Sequence, residues 1–248
     1  MPSQTRSLCI FGDSHLGSVR RALDEGLIDL TGFEVEFWGA DGPNFRDIDI
    51  EGDTVRPQTD DALKWVRTIN GNGRDTLGPR DFDVYLFYGA RLRLTDIMPP
   101  YLDILCDPDA AVSEAVLRAA VNRFISGRRS ARIARHFADS GGPRVFFCPA
   151  SFLADGVVDP MARQGVFAQF PHAEKAGEAE RARLWRMIDA IFGESGVTVL
   201  RQSEDTIVRG CLTDGRYAVQ DAVAQKDAVH KSPEFGARML AEFLKAAT

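Results

Sequence analysis

Five short apolar runs, each joined to the next by stretches of helical periodicity, constrain this chain most. They are residues 7–11 (S-L-C-I-F), 33–38 (F-E-V-E-F-W), 84–88 (V-Y-L-F-Y), 145–148 (V-F-F-C) and 197–200 (V-T-V-L). Gly12, Gly39, Gly89 and Pro149 stop the first four, and the turn Glu194-Ser195-Gly196 precedes the fifth. Residues 33–38 alternate and read as a strand, whereas 84–88 is a continuous apolar run, which fits a strand covered on both faces. Between the runs, helical spacing appears from about Ser14 to Glu25, over 112–124, over 178–192 and over 233–246, the last with Pro233 near N1. Residues 130–138 either continue the second of these or form a helix of their own. In 112–124 the stripe reads Val112, Ala115, Val116, Ala119, Ala120 and Phe124. Repeated strand–helix alternation predicts a three-layer α/β/α sandwich around a five-stranded, mostly parallel sheet.

The 248 residues suit one such domain. Two stretches exceed a minimal unit and read as insertions. Residues 51–80, with Gly71, Gly73, Gly78 and two prolines, read as a hairpin or an irregular excursion. Residues 155–176, rich in Gly, Phe and charge, read as a loop that could cover a site.

Composition narrows the function classes. The net charge is −6 with no dense basic run, which argues against nucleic acid as the partner. Cys9, Cys106, Cys148 and Cys211 form no C-x-x-C pair, and Cys9 and Cys148 fall inside apolar runs, so they read as core residues. No ligand spacing for a metal is present, and no G-x-G-x-x-G or P-loop points to a nucleotide cofactor. No run approaches a membrane span and no signal-peptide core is seen, so a soluble, cytoplasmic protein is expected.

Candidate chemistry sits at the two ends of the chain. Ser14 lies where the first run turns into a helix, at the carboxyl edge of the expected sheet, where α/β proteins build sites. Unpaired N–H groups of the first helical turn point to the same space and can stabilise an oxyanion. Asp13 and Ser14 are also good helix N-cap types, and position alone leaves that alternative open. Asp227-Ala228-Val229-His230, just before the last helix, can set a carboxylate beside an imidazole. Asp227 would then hold the tautomer of His230, leaving Nε2 to take a proton from Ser14. The chain has no G-x-S-x-G, which separates it from ordinary α/β-hydrolases.

These blocks resemble the SGNH hydrolases, the GDSL-type esterases and lipases. The likeness rests on Phe11-Gly12-Asp13-Ser14, on the Asp-led strand Asp83 to Gly89, and on Asp227-Ala228-Val229-His230 followed by Phe235-Gly236. It implies a flavodoxin-like SGNH fold, with Ser14 as nucleophile, His230 as general base and Asp227 as its orienting carboxylate. It also implies oxyanion donors at Gly39 and at the Ser14 N–H, with Gly42 a weaker candidate. The family's third block usually reads Gly-x-Asn, whereas this chain has Gly89-Ala90-Arg91. Arg91 either replaces the Asn as an oxyanion donor or binds an anionic part of the substrate, and Asn44 offers an amide nearby.

The expected activity is hydrolysis of an acyl or acetyl ester of a small molecule or carbohydrate through an acyl-enzyme. The alternatives are O-acyl transfer to a sugar with the same residues, and a non-catalytic binding module on the same scaffold. Trp38 and Phe45 stand as candidates for lining an acyl or sugar pocket. His15 stands beside the site, His172 reaches it only if 155–176 folds over, and His136 reads as a helix-face residue.

Overall fold

The computed structural model describes residues 5–71, 73–157 and 165–247. In chain order its elements are β1 (Arg6–Gly12), α1 (Leu16–Asp24), β2 (Phe33–Gly39), β3 (Ile48–Glu51), β4 (Thr54–Pro57), α2 (Asp60–Asn70) and β5 (Val84–Arg93). There follow α3 (Met98–Cys106), α4 (Glu114–Ser126), α5 (Arg129–Asp139), β6 (Arg144–Ala150), α6 (Val166–Gln169) and α7 (Glu178–Gly193). The chain closes with β7 (Val197–Val199), β8 (Ile207–Val208), β9 (Leu212–Thr213), α8 (Ala222–Gln225) and α9 (Pro233–Ala247).

The five expected strands form one sheet, ordered β2-β1-β5-β6-β7, and every pairing in it is parallel. Period-two alternation sends their side chains into two cores. Leu8, Ile10, Val84, Leu86 and Phe146 face α1 and α9, packing on Val19, Met239, Leu240 and Phe243. Cys9, Phe11, Tyr85, Phe87, Val145 and Phe147 face the other layer, packing on Ile133, Phe137, Ile188 and Phe192 of α5 and α7. Both faces are therefore dry at the centre of the sheet, which is why the runs in β1, β5 and β6 are almost wholly apolar, while the edge strands β2 and β7 keep Glu34 and Thr198 exposed. Each fully buried Phe or Leu contributes about 2 kcal/mol by area. The fold is an α/β sandwich of the expected class.

Several local expectations are corrected. Residues 51–80 contain a β3–β4 hairpin, but also α2, which the sequence reading did not assign. Thr59 caps α2 by accepting from the Ala62 N–H, and Gly71 ends it at φ 62°. Residues 130–138 belong to a separate helix, α5. In α4 the buried face is Leu117, Val121 and Ile125, one position on from the expected stripe, and Val112 and Val116 are exposed. Trp38 is fully buried and stacked on Phe11, so it is core and lines no pocket.

Of the 155–176 segment, residues 158–164 lie outside the described residues. Its described remainder packs away from Ser14. Val166, Phe167 and Phe170 lie against the core that holds α5 and α7, and the His172 N–H donates to Asp103 on α3 at 2.6 Å. His172 therefore does not reach the Ser14 site. His136 sits on α5 with Nε2 3.1 Å from the Asp53 carbonyl.

Candidate active site

The sheet order places the site. The chain leaves β1 toward β2 on one side and returns on the other side as β5, so the C-terminal ends of β1 and β5 flank a topological switch point. The turn after β1 carries Asp13, Ser14 and His15. It is tightened by the Leu16 N–H bonding the Asp13 carbonyl at 3.0 Å, and the Ser14 side chain is left exposed.

The loop before α9 delivers the partners. His230 Nε2 lies 2.8 Å from Ser14 Oγ, and His230 Nδ1 lies 2.8 Å from Asp227 Oδ2. The other oxygen, Asp227 Oδ1, accepts from the backbone N–H groups of Val229 at 3.1 Å and His230 at 3.0 Å. Burial raises the Asp227 carboxyl, but the donors of His230 and Val229 outweigh it and hold it below the usual carboxylate value. An ionised Asp227 at Nδ1 selects the tautomer whose Nε2 lone pair faces the serine hydroxyl. Residues 216 positions apart thus form one hydrogen-bonded chain from hydroxyl to carboxylate.

Asp13 is not part of that chain. It is 2% exposed and ties its own turn to the end of β5. Its Oδ1 accepts from His15 Nδ1 at 2.7 Å and from the His15 N–H at 3.2 Å, and its Oδ2 accepts from the Arg91 N–H at 3.2 Å. Burial raises its carboxyl, and His15 with Arg91 more than offset that, so it stays anionic. The His15 ring packs against Gly89, where an added Cβ would sit 2.8 Å from the His15 Cβ. It also lies 5.6 Å, ring to ring, from His230.

The end of β5 is irregular. Gly89, Ala90 and Arg91 all have positive φ, at 70°, 44° and 60°, and the register with β6 slips between Gly89 and Arg93. Non-glycine residues in this region cost about 1 kcal/mol or more each, and such strain collects at functional sites. Here it turns the Arg91 N–H onto Asp13. Arg91 lines a neighbouring cavity with Phe45, whereas Ser14 shares its own cleft with His15, Arg21, Gln220, Asp227 and His230. Arg91 thus lines the cavity beside the Ser14 cleft, with Nη1 3.0 Å from where a Cβ on Gly42 would stand. Asn44 is committed elsewhere, donating to Asp41 Oδ1 at 2.6 Å. Gly39 ends β2 directly beside Gly12, two residues before Ser14.

Lys231 enters the site from the structure alone. It is 3% exposed, and its Nζ donates to the carbonyls of Ala228 at 3.0 Å and Val229 at 2.7 Å. Those two residues separate Asp227 from His230, so the ammonium staples the turn that sets their spacing. Burial pushes Lys231 down to about 7, with Asp227 pulling weakly the other way. A folded value below the unfolded 10.5 means that the unfolded chain holds the proton over that interval. Stability from this group therefore rises with pH from about 7 to about 10.5 and is lost again as pH falls through 7. Lys231→Met lacks the dependence. Urea midpoints at pH 6.5 and 9.5 are expected to move in the parent's favour at high pH by about 1 kcal/mol per unit. A gap independent of pH would show that Lys231 keeps an ordinary affinity for its proton.

Among the described residues no group of three or more His, Cys, Asp or Glu side chains is arranged to hold a metal ion, and no helix is long and apolar enough to cross a membrane. All four cysteines are free.

The molecule is thus an open parallel α/β sandwich with a Ser–His–Asp hydrogen-bonded chain at the carboxyl edge of its sheet. No protein-family model matches the chain, and no curated protein matches it. Among solved structures it overlays on the periplasmic domain of a lipopolysaccharide acetyltransferase from Salmonella ser. Paratyphi A. The two are 13% identical with a TM-score of 0.39, over 99% of this chain and 84% of that one. An overlap this loose assigns neither family nor activity.

Proposed function

We propose that the protein is a serine esterase that cleaves carboxylic esters, with acetylated carbohydrates within its substrate range, through a covalent acyl-enzyme. The observation that carries this reading is the continuous chain from Ser14 Oγ through His230 to Asp227, with both links at 2.8 Å. In this mechanism Ser14 Oγ attacks the ester carbonyl while His230 Nε2 takes its proton. Asp227 keeps Nδ1 protonated and stabilises the imidazolium. The N–H groups of Ser14 and Gly39 receive the oxyanion. His230 then protonates the leaving alcohol, and water, activated by the same imidazole, releases the acid. The exposure of Ser14 favours water over a shielded sugar acceptor as the second nucleophile. Transfer to a sugar hydroxyl uses the same residues and differs only in that last step.

The test is intact mass after incubation with a serine-directed fluorophosphonate. One adduct is expected on the parent, none on Ser14→Ala, and much slower labelling of His230→Ala. A folded parent that takes no adduct would sink the reading, and an adduct that survives Ser14→Ala would move the nucleophile elsewhere.

A further inference from the structure

The cavity that receives Arg91 is built for an anion. Its volume is about 470 Å³, and its wall carries Arg46, Arg91, Arg93, Arg128 and Arg129 against the single acid Asp96. Asp96 is shared between Arg93 at 2.8 Å and Arg128 at 3.6 Å, and Arg129 turns to Asp49 at 3.4 Å. Arg46 and Arg91 have no ion pair among the described residues. Burial and the like charges of Arg46 and Arg93 push the Arg91 guanidinium down from its usual value, with Asp13 acting against them. Cations have thus been gathered here beyond what the local carboxylates neutralise.

Two further features favour an anion at this place. The N-terminus of the 11-residue helix α5 opens on this cavity, through Gly127, Arg128, Arg129 and Ser130, and no side chain caps it. Its free N–H groups and dipole favour an anion at that end. Ser130 is 2% exposed, lines the cavity, and its Oγ has no hydrogen-bond partner among the described residues. A buried hydroxyl without a partner is costly unless a ligand completes it. Guanidinium forks, helix amides and a hydroxyl together form the donor set that recognises phosphate oxygens.

We propose that this cavity binds a phosphate or diphosphate group carried by the substrate of Ser14. The word substrate rests on the esterase reading above, and the anion site itself does not. Arg91 connects the two places, since its N–H holds the carboxylate of Asp13, the residue before Ser14. An ester whose alcohol or acyl part bears a phosphate would be held there while its carbonyl meets the hydroxyl. A neutral ester would be turned over without that anchor.

The test is calorimetric titration of the parent with inorganic pyrophosphate at constant ionic strength. Succinate serves as a carboxylate comparator, and fluorophosphonate labelling is run in parallel. Arg46→Met is the main variant, because Arg46 is exposed and takes no part in the Ser14 chain. Ser130→Ala is the second. One pyrophosphate site is expected in the parent, at least 10-fold weaker in Arg46→Met and several-fold weaker in Ser130→Ala, with labelling of Ser14 unchanged in both. Absence of pyrophosphate binding in a parent that labels normally would overturn the proposal and leave the esterase intact. Binding that is indifferent to both substitutions, or equal binding of succinate, would also overturn it. Arg46-dependent pyrophosphate binding in a parent that takes no fluorophosphonate would keep the anion site and remove the esterase.

Discussion

Ester turnover is expected to fall to background in Ser14→Ala and about 10⁴-fold in Asp227→Asn, with both variants folded. The serine result follows from the loss of the attacking oxygen. The asparagine result is the more informative, because it removes no atom from the reacting centre. Asp227 uses both oxygens: Oδ1 accepts two backbone N–H groups and Oδ2 accepts from His230 Nδ1. An Asn side chain keeps the two backbone bonds only by placing its carbonyl oxygen at the Oδ1 position. Its NH₂ then faces His230 Nδ1 and can only donate. The imidazole must shift its proton to Nε2, where it confronts Ser14 Oγ with a donor instead of an acceptor. Ser14→Ala should therefore lose fluorophosphonate labelling outright, while Asp227→Asn should label slowly at the same serine. Steady-state kcat/KM on a neutral acetyl ester, measured beside thermal unfolding, checks both. Retention of more than a tenth of parental kcat/KM in Asp227→Asn would show that Asp227 does not set the tautomer of His230.

The constellation at the two chain ends was legible because each part has a local signature. Gly12-Asp13-Ser14 after an apolar run marks a strand-to-helix turn, and a three-residue spacing marks a carboxylate beside an imidazole. The structure brings Ser14, Asp227 and His230 within hydrogen-bond distance, while their chemical roles await the experiments above. The Arg91 cavity was not legible as a whole. It is assembled from the 44–47 turn, the end of β5 and the start of α5, which are neighbours only in the fold. The departure at Gly89-Ala90-Arg91 was visible, but its left-handed backbone was not. That conformation places Arg91 on the wall of the cavity it shares with Phe45 and Arg46. Lys231 offered no signal, since lysine is seldom so deeply buried and nothing around it in sequence is apolar enough to suggest it.

The central strand runs were readable because both faces of the sheet are dry there, and β2 because its apolar residues alternate with Glu34 and Glu36. Helices were read less well where their buried face is narrow. α4 touches its neighbours through Leu117, Val121 and Ile125, and the alanines and valines on its other side imitate a second stripe. α2 buries only Ala62, Val66 and Asn70, and it lies among glycines that suggested irregular chain. Its Thr59 cap and the acidic pair Asp60 and Asp61 were nevertheless in view. α3 begins Met98-Pro99-Pro100, and prolines that start a helix look like prolines that end one.

Gly39→Ala is expected to destabilise the protein by roughly 3–5 kcal/mol, enough to deplete the folded state. Gly39 has φ 153° and is paired in register with Gly12 at the carboxyl ends of β2 and β1. A Cβ built there overlaps the Gly12 carbonyl oxygen, and a Cβ on Gly12 would in turn overlap the Tyr88 carbonyl oxygen on β5. Three strand ends thus approach backbone to backbone directly beneath the turn that carries Ser14. No rotamer change relieves such a contact, because the obstructing atom is main chain. The strands must part or the turn must shift, and either moves Ser14 relative to His230. Gly26→Ala separates crowding from backbone conformation. Gly26 also has a positive φ, 69°, but a Cβ there meets nothing within 4 Å, so its cost should stay near 1 kcal/mol. Urea midpoints of the two variants should therefore differ widely, with Ser14 labelling lost in the folded fraction of Gly39→Ala alone. Equal midpoints would show that the strand ends are looser than their register implies, and that the position of Ser14 does not depend on the contact between Gly12 and Gly39.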